Sequence, residues 1–323
     1  MHQSFQRNLT LYAILSLLRG AAVSTSVVLW VVFLQKQYGF SLTEVTLLDL
    51  PFWAGKFLFE IPTGVVADRY GRRLSLAIAS GLVCLSWAVF SLIGSFWVLA
   101  LTQVVGAIGA TFESGANEAL LFESLKALGR EDEYAKISAR MGVAFTASSM
   151  VCGVGMGILA TVSLVLPVAL SSVLFGLTLL PILLLKETRR RKVEESQPAP
   201  PGYRQIVNQA YSALRGSAAL RWAVTYLVIL SCVAFYVSVF LQPYTLSLGL
   251  GVAALGPVMV IFQFMSITGA LAVPAAQRKL GSRALLAGVP ALLVACLLAI
   301  GLVRAIPILS VVALSSFLFT LTL

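Results

Sequence analysis

Long apolar stretches alternate with short polar segments along almost the whole chain. A helix needs about 20 apolar residues to cross a bilayer core of about 30 Å, so each stretch predicts one membrane-spanning helix. The first run continues to Leu34 without a small-residue cleavage site, and we expect it to remain as a helix rather than to be removed as a signal peptide. The ten predicted helices cover residues 8–34, 42–66, 73–94, 96–125, 139–160, 164–185, 219–243, 252–274, 283–303 and 306–323.

The composition agrees with this pattern. Of the 323 residues, 59% are apolar and 11% are charged, against about 25% charged in soluble domains, and the mean hydropathy is +0.94. An ordinary soluble enzyme is excluded, and the sequence predicts an all-α polytopic protein of the lipid bilayer. No cofactor, metal or enzyme activity is predicted, because the cysteines are isolated and His2 is the only histidine. No phosphate-loop motif supports an ATP-driven pump.

The net charge of +10 does not indicate a nucleic-acid partner, because the basic residues lie in short runs between apolar stretches. Basic loops face the cytoplasm, so the sequence predicts a multi-pass protein of the plasma membrane, the inner membrane of a bacterial cell, with its N-terminus in the cytoplasm. Lys36 and Arg304 fall on the outer side. The predicted inner segments hold Arg7, Arg69, Arg72, Arg73, Lys126, Arg130, Lys136, Arg140, Lys186, Arg189, Arg190, Arg191, Lys192, Arg204, Arg215, Arg221, Arg278, Lys279 and Arg283.

A charged, proline-rich segment divides the chain. We predict an N-terminal six-helix half at 1–185, a cytoplasmic linker at 186–218 and a C-terminal half at 219–323. The second part holds only four predicted helices, so we expect about two helices of that half to be missing from this chain. An offset of 210 residues aligns Gly39 with Gly249, Phe52 with Phe262, Gly71 with Gly281 and Arg73 with Arg283, which is weak evidence for a repeat of the two halves.

The loop after the second helix carries the most specific motif. It reads Gly64-Val-Val-Ala-Asp68-Arg69-Tyr-Gly71-Arg72-Arg73 and resembles the G-x-x-x-D-R-x-G-R-R/K loop between helices two and three of the major facilitator superfamily. Glycine permits a tight turn at Gly71, and the arginines supply planar donors for several partners. The resemblance implies a fold of two six-helix halves and secondary transport of a small molecule.

The resemblance extends through the first half. Glu60-Ile-Pro62-Thr-Gly64 and Ser114-Gly115-Ala-Asn117-Glu118-Ala-Leu are similar to stretches of bacterial members. Two features depart from the family pattern: Thr102 stands roughly where an arginine is usual in helix four, and the Gly-Pro antiporter signature of helix five is absent.

We also predict a latch at the inner surface. Asp68 and Glu123 lie at similar depths below the outer ends of their helices, so Arg72 is expected to reach Glu123 with Asp68 beside them. The resemblance supports an acidic residue at the end of helix four, and the contact is expected to tighten and loosen as the halves move.

Charged residues inside the predicted helices are candidates for coupling. Arg19 lies roughly 16 Å into the first helix, near the membrane midplane, where a charge is costly and normally paired. Asp49, Lys56 and Glu60 fall within about 40° of one another on helix two and form a predicted polar stripe. Helix four adds Glu113 at a depth similar to Glu60.

These groups comprise two cations and three carboxylates, so one carboxylate lacks a full partner and could carry a proton. We rank Glu60 and Glu113 first and Asp49 third. A purely structural ion-pair network is an equally open alternative.

The predicted cavity faces carry small hydroxyls and aromatic rings, a lining that suits an amphipathic or hydrophobic small molecule. We therefore predict proton-coupled efflux of such a solute. The alternative, from another class, is a truncated, non-transporting remnant or a membrane interaction module. The cavity candidates are Ser24, Trp30, Tyr226, Tyr236 and Ser315.

Overall fold

The structure is a computed structural model that describes residues 2–187 and 203–281, together with scattered positions between 284 and 298. Two 3₁₀ turns, Glu131–Glu133 and Val252–Ala254, interrupt its α-helices. The chain forms two compact units, Met1–Pro198 and Ala199–Leu323, and each is described by itself. The helices are α1 (His2–Tyr38), α2 (Leu42–Tyr70), α3 (Arg72–Leu92), α4 (Phe96–Lys126), α5 (Tyr134–Val162), α6 (Val165–Leu177), α7 (Leu179–Leu184), α8 (Tyr203–Gly216), α9 (Ala218–Ser247) and α10 (Leu255–Leu280).

The predicted all-α polytopic fold is confirmed. Seven helical segments in the described part of the chain are long and apolar enough to cross a membrane. The charged α2 is not among them, because Asp49, Lys56 and Glu60 lower its hydropathy, although its 29 residues give a length of about 43 Å. The described positions between 284 and 298 are helical, whereas the predicted helix 306–323 lies outside the described residues.

The sequence prediction differs from the structure at two places. The predicted helix 164–185 is divided at Thr178, whose Oγ1 lies 2.8 Å from Ser80 Oγ of α3. The predicted linker 186–218 contains a regular helix, α8. The wider division of the chain into 1–185, 186–218 and 219–323 stays a prediction.

Glycines with positive φ end corresponding helices in the two units. Gly39 and Gly71 follow α1 and α2, with φ of 74° and 106°, and Gly249 and Gly281 follow α9 and α10, with φ of 80° and 77°. These four are the glycine pairs related by the 210-residue offset. Because only glycine adopts such backbone angles at little cost, the offset relates positions with the same structural task.

The helices of the first unit cross at small residues. α1 packs along α5 and α6, α2 along α4, and α3 along α4 and α6. A Cβ on Gly20 would collide with the carbonyl oxygen of Phe145 on α5, so only glycine fits at that crossing. Aliphatic side chains from several helices of this unit form a core that includes Leu11, Leu15, Leu76, Leu120, Leu125, Ile137, Ile182 and Leu185.

Replacement of Gly20 by alanine is expected to lower the melting temperature of the purified protein, because overpacking of a close crossing costs about 1–3 kcal/mol. Gly155→Ala on α5 is the matched control, since nothing lies within 4 Å of the Cβ it would add. Thermal unfolding in detergent measures both variants. If the two variants melt at the same temperature, the close α1–α5 crossing is not part of the fold.

Candidate functional site

The loop between α2 and α3 is held by a carboxylate from a distant part of the chain. α2 ends at Tyr70, and Gly71 turns the chain with φ of 106° while its N–H donates to Ala67 O. The backbone N–H of Arg72, at the start of α3, donates to Glu187 Oε1 at 2.6 Å. A Cβ on Gly71 would lie 3.0 Å from Glu187 Oε2. Glycine is therefore required for its backbone angle and for the space that Glu187 occupies.

Sequence reasoning missed Glu187. The signal available was an acidic residue soon after the predicted sixth helix, on the side of the membrane where the sequence also predicts the start of the third helix. Free N–H groups and the positive end of the helix dipole both favour a carboxylate at such a place. The sequence alone did not reveal that these two chain segments meet.

Arg72 also binds α4 through its side chain. Its Nη1 lies 2.8 Å from Glu123 Oε1, and its Nη2 lies 4.0 Å from Asp68 Oδ1. The predicted pairing of Arg72 with Glu123 is thus present, with Asp68 at the limit of an ion pair and 67% exposed. The role of this contact as a moving latch stays a prediction.

The other motif residues have separate contacts. The guanidinium of Arg69 lies over the Tyr70 ring at 5.7 Å, and Arg73 Nη1 donates to Leu185 O at 3.4 Å. Nothing lies within 4 Å of a Cβ built on Gly64, so that glycine marks no close helix contact. An open cavity of about 560 Å³ adjoins the Arg72–Glu123 pair, lined by Arg72, Gly115, Glu118, Ala119, Phe122, Glu123, Lys126 and Tyr134.

A second polar cluster lies within the helices, between α1 and α4. Arg19 is 6% exposed, and its Nη1 lies 2.9 Å from Glu113 Oε1 and donates to Asn117 Oδ1 at 3.2 Å. Glu113 and Asn117 are one turn apart and so present both oxygens to one guanidinium. Arg19 Nη2 is buried with no hydrogen-bond partner among the described residues. The sequence analysis placed Asn117 in a family-like stretch but gave it no role.

Asp49 has a different environment. It is 7% exposed, and its Oδ1 accepts a hydrogen bond from Trp30 Nε1 of α1 at 3.2 Å. Its Oδ2 is buried and has no hydrogen-bond partner in the part of the chain that the structure describes. Trp30 in turn packs edge-on against Phe90 and Trp87 of α3, with ring centroids 5.0 Å and 6.2 Å away. The carboxylate therefore lies beside aromatic rings.

The predicted polar stripe on α2 does not act as one group. Lys56 Nζ lies 5.7 Å from the centre of the Trp53 ring, and exposed Glu60 accepts a hydrogen bond from Ser114 Oγ of α4. No ion pair joins these residues to each other or to Asp49 among the described salt bridges. A shared helix face does not bring them together, because each lies at a different depth and meets a different neighbour.

The predicted cavity residues also have different surroundings from one another. Ser24 is fully buried, and its hydroxyl donates to Ala21 O of its own helix at 2.6 Å, so its place on a cavity face stays a prediction. Tyr226 stacks on Trp222 and donates to Leu286 O at 3.0 Å. Tyr236 packs between Phe235 and Phe240. Ser315 lies outside the described residues.

Asn8 was also missed by the sequence analysis. It is fully buried and connects three chain segments: its Nδ2 donates to Ser124 Oγ and to Lys186 O, and its Oδ1 accepts from Lys186 N at 3.0 Å. The N-terminus, the end of α4 and the chain after α7 therefore share one end of the first unit.

Within the described residues, no group of three or more His, Cys, Asp or Glu is placed to hold a metal ion.

Comparison with known proteins agrees with this helical arrangement. The family model for the Major Facilitator Superfamily matches residues 12–323. The chain belongs to this superfamily. The resemblance carried by residues 64–73 is thereby confirmed.

A curated member of the superfamily, the uncharacterized MFS-type transporter YxaM of Bacillus subtilis (strain 168), is 34% identical over 104 residues. That match covers 32% of this chain and spans only 26% of the relative. Among solved structures, a mutant of the nucleoside transporter NupG has a TM-score of 0.80 at 12% identity, covering 98% of this chain and 79% of that one. The D-xylose-proton symporter has a TM-score of 0.59 at 17% identity, and the match covers 99% of this chain and 79% of that one. These proteins are transporters by name, and the prediction that the chain is not an enzyme is confirmed at the level of the superfamily.

The energetic link between Arg72 and Glu123 is testable with a double-mutant cycle. Arg72→Gln and Glu123→Gln are each expected to lower the melting temperature, because each leaves a half-buried charge without its partner. The double variant should lose less stability than the two single variants lose together, with a coupling free energy of about 0.5–3 kcal/mol.

The matched control is the pair Arg130–Glu133, which has the same kind of short contact, 2.7 Å, at an exposed turn. Solvent screens that pair, so its cycle should show a smaller coupling. Equal coupling in the two cycles would contradict a special role for the Arg72–Glu123 contact.

Proposed function

We propose that this superfamily member is a secondary active transporter that exports a small amphipathic or hydrophobic molecule in exchange for protons across the plasma membrane. The observation that carries the proposal is the group of ionisable side chains held within the helices of the first unit: Arg19 with Glu113, and Asp49 with Trp30. Such groups are costly in a bilayer and usually mark solute or proton pathways. The superfamily match across residues 12–323 supports the same function.

The proposed orientation has the N-terminus in the cytoplasm. Asn8 contacts Ser124 and the backbone of Lys186, so the N-terminus lies at the same end of the unit as the motif loop. That end holds Arg69, Arg72, Arg73, Lys126 and Lys186, whereas the loop after α1 holds Lys36. A strong excess of basic residues at one end supports a cytoplasmic position for it.

Proteoliposomes containing the purified protein and an internal pH-sensitive dye test transport directly. The probes are uridine, D-xylose and an amphipathic amine, the first two because similar structures are named for a nucleoside and for xylose. A solute gradient of one probe should move protons in the opposite direction. Proton movement in the same direction as the solute would replace export with symport, and no proton movement with any probe would contradict the proposal.

Among the three intramembrane carboxylates, we propose Asp49 as the main proton carrier, ahead of Glu60 and Glu113. Glu113 lies 2.9 Å from a guanidinium, and Glu60 is exposed to its surroundings and hydrogen-bonded to Ser114. In the part of the chain that the structure describes, Asp49 is bound only by the indole N–H of Trp30. A buried carboxyl without a cation is less costly when it is protonated.

The charged groups on α2 and on the helices packed against it are separated from Asp49 by more than one helical turn. Lys36 is six residues beyond Trp30 on α1, about 9 Å of helix, and Glu44 and Lys56 are five and seven residues away on α2. On α3 the charged residues are Arg72 and Arg73, at the inner end, and α4 carries none before Glu113. No ion pair to Asp49 is present among the described residues.

Asp49→Asn keeps the shape of the side chain and removes its proton site. We expect this variant to lose pH-driven accumulation of a transported probe while it still exchanges that probe across the membrane, since proton binding supplies the driving force and not the solute site. Glu60→Gln and Glu113→Gln serve as comparison variants, and Glu44→Gln, at the exposed start of α2, is the control. Accumulation by Asp49→Asn at the wild-type level would show that Asp49 is structural.

A further inference from the structure

Helix α8 has a strongly two-sided sequence that the transport proposal leaves unexplained. Its apolar positions recur every three or four residues and share one face of the helix, while the polar positions share the other. A helix with such a division and low overall hydrophobicity is typical of the plane between lipid headgroups and acyl chains. The apolar positions are Tyr203, Ile206, Val207, Ala210, Tyr211 and Leu214, and the polar positions are Arg204, Gln205, Asn208, Gln209, Ser212 and Arg215.

The position of α8 in the chain brings its end to the membrane surface. α8 ends at Gly216 and α9, a candidate membrane span, begins at Ala218. Ser217 between them has extended backbone angles, φ −130° and ψ 113°, and its Oγ accepts from Leu220 N to cap α9. One extended residue therefore separates the amphipathic helix from a helix of membrane length, so the end of α8 lies next to the bilayer.

A side chain of α9 fixes this junction. Arg221 Nη1 donates to Leu214 O at 3.1 Å and to Arg215 O at 2.8 Å. These carbonyls belong to the last turn of α8 and have no partner within the helix. Arg221 therefore satisfies them and places its positive charge at the helix C-terminus, where the dipole favours a cation.

The described side chains in the second half of α8 are mostly exposed, and this part of the helix is basic. Tyr211, on the apolar face, is 54% exposed, and the guanidinium of Arg215 lies 4.5 Å from the centre of its ring. α8 carries two arginines, Arg221 adds a third, and the sequence has no acidic residue after Glu195. An apolar helix face bordered by cations is complementary to acyl chains bordered by anionic headgroups.

We infer that α8 is an interfacial helix that binds anionic phospholipids, with its apolar face among the outer acyl carbons and its arginines at the lipid phosphates. The proposed orientation places these lipids in the cytoplasmic leaflet of the membrane. Apart from this choice of leaflet, the inference does not depend on the orientation, and it does not depend on transport. It gives the first helix of the second unit a fixed position at the membrane surface.

The experiment uses the full-length protein without its native cysteines, Cys84, Cys152, Cys232 and Cys296, each replaced by alanine. Single spin labels are placed at Val207→Cys on the apolar face and at Gln209→Cys on the polar face, about 200° apart around the helix. The protein is reconstituted in phosphatidylcholine alone and in phosphatidylcholine mixed with phosphatidylglycerol. Relaxation by oxygen, which enriches in lipid, and by a water-soluble nickel complex then measures the surroundings of each label.

In vesicles with phosphatidylglycerol, we expect label 207 to respond mainly to oxygen and label 209 mainly to nickel. The oxygen response of label 207 should fall in phosphatidylcholine alone and in the double variant Arg204→Gln, Arg215→Gln. Asn208→Gln is the matched control, a polar-face change that leaves the charge unaltered, and it should behave as the parent protein. Circular dichroism and size-exclusion profiles establish that each variant is folded.

Each contrary result overturns a stated part of the inference. Nickel access to both labels in both lipid mixtures places α8 in water and overturns it entirely. Protection of label 207 from both reagents means that the apolar face is covered by protein, either this chain or a second copy. Equal oxygen responses in the two lipid mixtures overturn the assignment to anionic headgroups. Because no measurement here involves a solute or a proton gradient, failure of the transport proposal leaves these outcomes unaffected.

Discussion

A charge inside a bilayer must be offset by a partner or removed by a proton, and the first unit of this superfamily member is arranged around that requirement. Arg19 meets it with a carboxylate and an amide one turn apart on α4, which joins α1 to α4 by a charged contact. Among the described residues, Asp49 has an indole N–H as its hydrogen-bond partner and lies beside aromatic rings. The two sites lie on the same helical scaffold but differ in their electrostatics, because Arg19 has a charged partner and Asp49 has none among the described residues.

At the end of the unit that holds the α2–α3 loop, one residue connects three chain segments. The backbone N–H of Arg72 binds Glu187 and its guanidinium binds Glu123, so the start of α3 is tied to the end of α4 and to the chain after α7. Aliphatic side chains of the same unit, such as Leu120, Leu125 and Ile182, are almost fully buried in one core. The side chains of Arg72 and Glu123 are 18% and 28% exposed, and a partly desolvated ion pair is stronger than one fully in water. Asn8 adds a neutral connection to the same end of the unit.

The membrane also limits the segments that join the helices. The chain turns at the single residue Gly71, because glycine tolerates the positive φ that the turn needs. α3 therefore begins directly after this residue. The segment before α9 is longer and contains an amphipathic helix instead of a tight turn. The last carbonyl groups of this helix accept hydrogen bonds from Arg221. In both cases the end of a helix is closed by a specific donor or acceptor, since an unsatisfied backbone group near hydrocarbon is costly.

The sequence by itself determined the class of the protein, the extent of most membrane helices, the superfamily and the approach of Arg72 to Glu123. These follow from hydropathy, helix rise and local motif chemistry, which act over short distances along the chain. It did not predict the break at Thr178, the helix α8 within the linker, or the buried position of Ser24. Only the tertiary structure decided that Glu187 occupies the space beside Gly71, that Asn117 shares Arg19 with Glu113, and that Asp49 meets Trp30 rather than a cation. Those outcomes depend on which residues of distant helices meet at the same depth, and helical periodicity fixes a side chain's face but not its neighbour.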